Sequence, residues 1–257
     1  MRPAVSGRGS VDRDGRDGGE VAGHEVAAVR LRTEGDADFK RAVTGGVRGV
    51  MNNSGQSCNA PTRMLVPNDR MDEALAIAKA AADATTVGAP DSGASIGPVV
   101  SATQWDKIQT LIHKGIDEGA QLVAGGTGRP DGLATGWYVR PTVLGRVNNQ
   151  MTVAREEIFG PVLVVMGYDT VDEAVTIAND TPYGLAAYVS GTDAEQVRQV
   201  ASKLRAGQVN LNSAAPDLNA PFGGFKQSGN GREWGDHAFG EFLEVKALLG
   251  YAPKPAA

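Results

Sequence analysis

Apolar residues recur at Trp105, Ile108, Leu111, Ile112 and Ile116, a spacing that places all five on one face of a helix and predicts that face as core. Ser101 and Gln104 form the reciprocal capping pattern at its start, and Gly119 is a fitting stop. The same pattern occurs at Thr170 with Glu173 and at Thr192 with Glu195, predicting two more helix starts. A helix over Ala37 to Met51 and another after Asn68-Asp69, with Met71, Leu75 and Ala78 inward and an end before Gly88-Ala89-Pro90, complete the helical set. Between them lie short β-rich runs: Arg63 to Val66, Tyr138 to Leu144, Pro161 to Gly167, Ala186 to Ser190 and Gln208 to Leu211.

Order then fixes the class. From Pro161 to Leu211 the pattern runs strand, helix, strand, helix, strand, which predicts an α/β domain with a largely parallel sheet and helices on both faces. In open sheets of this kind ligands sit beyond the carboxyl ends of the strands, so the loop of residues 212–219 is expected to wall a site.

Composition sharpens the boundaries. Residues 1–35 hold seven glycines, six arginines and six acidic residues with no aromatic, too little apolar surface to offset chain entropy, and they are expected to be disordered. The folded domain is expected over residues 36–251, with 252–257 as a tail. A net charge of −5 gives no broad positive field for a phosphate backbone, so nucleic acid is not an expected partner. No apolar run is long enough to span a bilayer and no secretory signal opens the chain, which makes a cytoplasmic location the expectation. One cysteine forms no internal disulfide, and His24, His113 and His237 show no zinc-type spacing, so no metal is expected.

Three segments carry candidate chemistry. Cys58 ends the polar loop Asn52-Asn53-Ser54-Gly55-Gln56-Ser57-Cys58. A lone cysteine is more often an inert, buried small hydrophobe, yet loop amides and Gly55 supply what a thiolate needs: donors and close approach. Glu156-Glu157-Ile158-Phe159-Gly160-Pro161 reads either as a charged loop before a core phenylalanine or as a carboxylate for sugar hydroxyls beside a ring for a flat heterocycle. The run Pro221 to Gly229, followed by Gly231-Arg232-Glu233, matches neither the P-loop nor the dinucleotide glycine spacing and reads as a structured turn.

Taken in order, these segments resemble the aldehyde dehydrogenase superfamily. The resemblance runs from Asp36 to about Tyr251 through Asn53-Ser-Gly-Gln-Ser-Cys58, Glu156-Glu157-Ile-Phe-Gly-Pro161, Pro182-Tyr-Gly-Leu185, Asn212, Pro221-Phe-Gly-Gly224 and Glu244-Val-Lys246. It implies a catalytic domain with a C-terminal oligomerisation strand, and oxidation of an aldehyde to a carboxylic acid with NAD or NADP. Cys58 matches the nucleophile, which passes through a thiohemiacetal and a thioester. Glu157 would hold the nicotinamide ribose, Phe159 would pack near the ring, and Asn212 and Phe222 would line the substrate channel, each equally open to a structural role.

The departures are equally specific. The family's cofactor domain, its cofactor lysine and its oxyanion-hole asparagine match nothing in this chain. Counting back from Asp36 without gaps puts His24, next to Glu25, where the family carries its general base, but the flanking residues do not match and the role is not carried over. The abrupt change at Asp36 suggests an out-of-frame or misjoined start, which translation of the other two frames would test. Three functions are therefore in play: an NAD(P)-dependent aldehyde dehydrogenase impaired as written, a non-catalytic fragment that associates with related subunits through the segment near Glu241 to Leu249, and a cofactor-independent thiol esterase.

Overall fold

Apolar residues in the strands alternate between two buried faces. Met64 and Val66 point one way and Leu65 the other; Leu163 and Val165 oppose Val162, Val164 and Met166. Strands buried on both faces need helices on both, and the computed structural model, which describes residues 27–30 and 36–250, shows that arrangement. In chain order the elements are β1 (Ala27–Arg30), α1 (Asp36–Met51), β2 (Arg63–Pro67), α2 (Met71–Asp83), α3 (Ala102–Asp117), β3 (Gln121–Ala124), β4 (Thr142–Gly145), the short α4 (Thr152–Arg155), β5 (Val162–Tyr168), α5 (Val171–Asn179), β6 (Ala186–Ser190), α6 (Ala194–Lys203) and β7 (Gln208–Leu211).

The seven strands form one sheet in the order β3-β4-β5-β2-β1-β6-β7, parallel except where β3 meets β4. Helices α1 and α2 cover one face through Phe39, Val43, Val47, Met71 and Leu75. Helices α3, α5 and α6 cover the other through Ile108, Ile112, Ala174, Val197 and Val200. Each of these Phe, Val, Met, Leu and Ile side chains stabilises the fold by roughly 1.5–3 kcal/mol on burial. No helix among the described residues is long and apolar enough to cross a membrane.

The structure departs from the sequence expectations in four places. A strand precedes Asp36: Ala27 pairs with both Arg63 and Ala187, so β1 sits between β2 and β6. The disorder expected for the rest of residues 1–35 falls outside the described residues, as do His24, Glu25 and the tail. The edge strand β3 carried no clear signal, because Leu122 faces solvent and the strand is only four residues long. Helix α6 is capped by Asp193 rather than Thr192, the Asp193 carboxylate accepting the Glu195 and Gln196 amides at 2.9 and 3.1 Å.

The fourth is at the C-terminus. A short helical turn, Asp236–Phe242, is followed by irregular chain, and the segment near Glu241 to Leu249 pairs with no strand among the described residues. An isolated apolar strand has nowhere to send its backbone hydrogen bonds until another edge is offered.

Candidate active site

Helix α1 ends at Met51, and the chain then turns through Asn53 (φ 51°), Ser54 (φ 55°) and Gly55 (φ 72°), three successive left-handed residues. Two of them carry side chains, a strain of about 1–2 kcal/mol each that the surroundings must offset. They do so with cross-links: the Ser54 hydroxyl donates to Gly97 O at 2.8 Å, the Gln56 side chain accepts the Val100 amide at 3.0 Å, and Gly55 lies against Gly160. This loop delivers Cys58 to the start of β2.

Cys58 is half-buried, packed with Phe222 and Tyr188 against Leu185 and Ala186. The Tyr188 hydroxyl donates to Asn59 O at 2.9 Å and ties the loop to β6. Burial pushes the thiol above its ordinary pKa, the negative charges of Glu157 and then Glu233 add to the rise, and the backbone amides of Cys58 and Asn59 oppose it by hydrogen bonding toward the sulfur. At neutral pH the group is therefore held as the thiol. Its surroundings nonetheless carry two amide donors for negative charge and two carboxylates within electrostatic reach.

Glu157 and Phe159 lie in the turn that leads into β5. Both are half-buried, and Phe159 is left-handed at φ 54°. Phe222 packs in one apolar cluster with the thiol: it exchanges two backbone hydrogen bonds with Glu233, at 2.7 and 2.6 Å, and stacks on Trp234 with ring centroids 4.8 Å apart. The structure thus places Cys58 and Phe222 in one cluster, with Glu157 in electrostatic reach of the sulfur.

Cys58 precedes β2, Glu157 and Phe159 precede β5, and Leu185 precedes β6, so the site occupies the amino ends of the parallel strands. The loop of residues 212–219, expected to wall a site, leaves the other end of the sheet, at the close of β7. Asn212 does lie at a carboxyl end, that of β7. It is left-handed and exposed, its side-chain oxygen accepts the Gly191 amide at 2.9 Å, and it lines a cavity of about 270 Å³ with Asp38, Arg41 and Thr192. A neighbouring cavity of about 330 Å³ runs from Ser57 and Asn59, the chain neighbours of Cys58, along Gly45 and Gly49 of α1 to Ser213 and Ala214. The loop after β7 therefore walls space beside the cysteine loop, with Ser213 and Ala214 rather than Asn212 sharing a cavity with the chain neighbours of Cys58. A further cavity of about 320 Å³, by Asn68, Arg146 and Glu173, includes none of these groups.

The aldehyde dehydrogenase family model matches residues 29–248. The chain belongs to the aldehyde dehydrogenase family. It is 54% identical over 217 residues to a 3-succinoylsemialdehyde-pyridine dehydrogenase of a Pseudomonas species, covering 84% of this chain and 46% of that protein. Over the same spans it is 51% identical to a putative aldehyde dehydrogenase of Staphylococcus aureus. Among solved structures it superposes on a mutant of aldehyde dehydrogenase C from Pseudomonas syringae in complex with NAD+ and octanal. The TM-score is 0.87 and the identity 50%, covering 91% of this chain and 48% of that one. A Mycobacterium tuberculosis aldehyde dehydrogenase complexed with NAD+ gives 0.83 and 42%, covering 90% and 48%. The chain spans about half the length of the relatives it matches.

Within the family frame, the residues that sequence reasoning missed are Glu233, Tyr188 and Gln104. Glu233 stood in a glycine-rich run that read only as a turn, and its approach to Cys58 comes from pairing with Phe222. Tyr188 looked like an ordinary strand residue. Gln104 carried a signal that pointed elsewhere: it matched a capping box, yet its side-chain amide crosses to the turn of Phe159.

Proposed function

We propose that the chain is the thiol-bearing half of an NAD(P)-dependent aldehyde dehydrogenase, with Cys58 as the nucleophile. The observation that carries the reading is the setting of Cys58, a half-buried thiol with its own amide and that of Asn59 directed at it and two carboxylates in reach. In the reaction, Cys58 loses its proton, its sulfur bonds to the aldehyde carbon, and the carbonyl π pair moves to oxygen. Backbone donors hold the resulting charge. The thiol proton leaves to solvent, and the negative charges of Glu157 and Glu233 act on the sulfur and on water near the later thioester.

The residues present fit one end of the cofactor. A half-buried carboxylate and ring, two residues apart in a left-handed turn, suit a ribose diol and a flat pyridine, so Glu157 and Phe159 would hold the nicotinamide riboside end. No glycine-rich phosphate loop of the dinucleotide type occurs among the described residues. A bound nicotinamide dinucleotide supplies a hydride acceptor. The relatives solved with NAD+ and with octanal support this cofactor and substrate class. A reducing, cytoplasmic setting suits a lone reactive thiol.

Two readouts test the proposal. The purified chain, mixed with hexanal, should show protection of Cys58 from iodoacetamide, and this protection should scale with aldehyde concentration. With NAD or NADP added, appearance of reduced nicotinamide reports turnover. Protection alone supports the nucleophile assignment, protection with turnover supports the whole reaction, and absence of protection overturns the nucleophile assignment.

A second reading is favoured by one feature. Phe239, Phe242, Leu243, Val245, Leu248 and Leu249 are exposed in one C-terminal segment, and exposed apolar side chains gathered in one stretch mark an interaction surface. On this reading the chain associates with a second copy or with related subunits through that segment. Sedimentation of the chain against Phe242→Asp tests it: a monomer in both forms overturns association, and loss of a dimer in the variant supports it.

A further inference from the structure

Gln104 occupies the third position of α3, and its backbone amide donates to the Ser101 hydroxyl at 3.2 Å as a capping box requires. The reciprocal half is missing. Instead of reaching back toward Ser101, the Gln104 side-chain amide crosses to a different part of the chain. There its nitrogen donates to Ile158 O at 2.9 Å and Phe159 O at 2.8 Å. In α5, by contrast, Glu173 does turn back, accepting the Asp169 amide at 2.7 Å while its own amide donates to Thr170. A residue that meets the sequence rule for one local role while performing another is a mark of a site, where local consistency yields to function.

The turn it holds needs holding. Phe159 is left-handed, a conformation that bulky side chains adopt only when the surroundings impose it. Three contacts fix the turn. A Cβ on Gly160 would lie 2.5 Å from Ile108 of α3, one on Gly55 would lie 1.9 Å from Gly160 O, and Gln104 binds the two carbonyls between Glu157 and Gly160. The two glycine contacts are steric and set how near the turn comes to the cysteine loop. The Gln104 hydrogen bonds hold the two carbonyls that follow Glu157 in the chain. The Glu157 and Glu233 carboxylates are the charged groups that act on Cys58.

We infer that Gln104 is a positioning residue for the nucleophile: by anchoring the Ile158 and Phe159 carbonyls it aims Glu157 at Cys58. The inference rests on the reading of Cys58 as the nucleophile and deepens it, by giving the thiol's reactivity a control point on α3. A residue that only stabilised the fold would change melting and leave the thiol's titration alone.

The chain contains a single cysteine, so alkylation by iodoacetamide across a pH series reports Cys58 without interference. Glu157→Gln removes one of the charges that hold the thiol protonated, and should move the profile to lower pH and speed alkylation at pH 7.5 by about threefold. Gln104→Met keeps the length of the side chain and removes its donors, so it should move the profile the same way. The double variant should move no further than Glu157→Gln alone, because both changes act through one carboxylate. Gln104→Asn, which keeps the donors one methylene too short to reach, provides the same comparison if the methionine variant does not fold.

An unchanged profile in Gln104→Met beside a shifted one in Glu157→Gln overturns the inference alone, as does full additivity in the double variant. An unchanged profile in Glu157→Gln removes the link between Glu157 and Cys58 and overturns the inference with it. Protection of Cys58 by hexanal is a separate measurement, so failure of the nucleophile assignment is told apart from failure of the positioning role.

Discussion

Gly55 and Gly160 meet main chain to main chain: a Cβ on Gly55 would stand 1.9 Å from the Gly160 carbonyl oxygen and 2.5 Å from the Pro161 nitrogen. Neither neighbour is a flexible side chain that could move aside, and Gly55 is left-handed as well. Gly55→Ala is therefore expected to cost about 3 kcal/mol or more, combining overpacking with strain. A urea midpoint shift below 1 kcal/mol equivalent would show that the two loops are not in this contact.

The thiol's pH response has a definite sign. Burial and the Glu157 and Glu233 charges hold the Cys58 pKa above the ordinary thiol value, so alkylation should keep rising at alkaline pH where a free cysteine has already levelled off. Glu233→Gln removes one of those charges and should move the rise to lower pH. If it moves to higher pH, Glu233 acts on the thiol as a proton acceptor held by hydrogen bonding instead of as a bare charge.

Phe222 links the thiol cluster to Trp234. Truncation by Phe222→Ala loses the ring stack and part of the apolar wall, an expected cost of about 1–2 kcal/mol. Two signals should accompany it: a change in tryptophan fluorescence from Trp234, and faster alkylation of a less shielded Cys58. Slower alkylation would mean that the ring orients the sulfur and does not merely cover it.

An acid-side prediction concerns the scaffold. The Glu118 carboxylate accepts both the Thr152 amide and the Thr152 hydroxyl, each at 2.6 Å, and these bonds, with a smaller contribution from Lys114, hold its pKa below the usual glutamate range. A depressed folded-state pKa gives stability that is complete above the ordinary glutamate value and is lost as the pH falls through the lower one. Glu118→Gln should therefore flatten the decline of stability in that acidic window while changing little near neutrality in pH dependence. Parallel curves for the two proteins across the window would remove Glu118 from the acid response.

Much of the scaffold is legible in the sequence because its signals are local. The faces of α2 and α3, the bounds of β6 and β7, and the glycine-bearing loop before Cys58 follow from periodicity and turn residues alone. Strand β1 is not legible, since Ala27-Ala28-Val29-Arg30 is short, follows a glycine- and charge-rich stretch and gains its stability from neighbours on both sides. Nor is the end of the sheet that carries the site. That depends on which loops the topology brings together, and the loops before β2, β5 and β6 are more than a hundred residues apart in sequence at their extremes. Gln104 shows the limit most directly: three residues from a serine, it satisfies a local pattern whose second hydrogen bond is made 55 residues away.

The cysteine loop is held by glycine contacts, by carbonyls at Gly97 and Asn59, and by the Val100 amide. The sulfur's address is thus written mainly in main-chain atoms, while the apolar wall around it, Phe222 and Leu185, is made of side chains free of that duty. Such a division lets the surface that meets a substrate be exchanged residue by residue without relocating the reactive atom. One cysteine loop can thereby keep its place while the residues that surround it change.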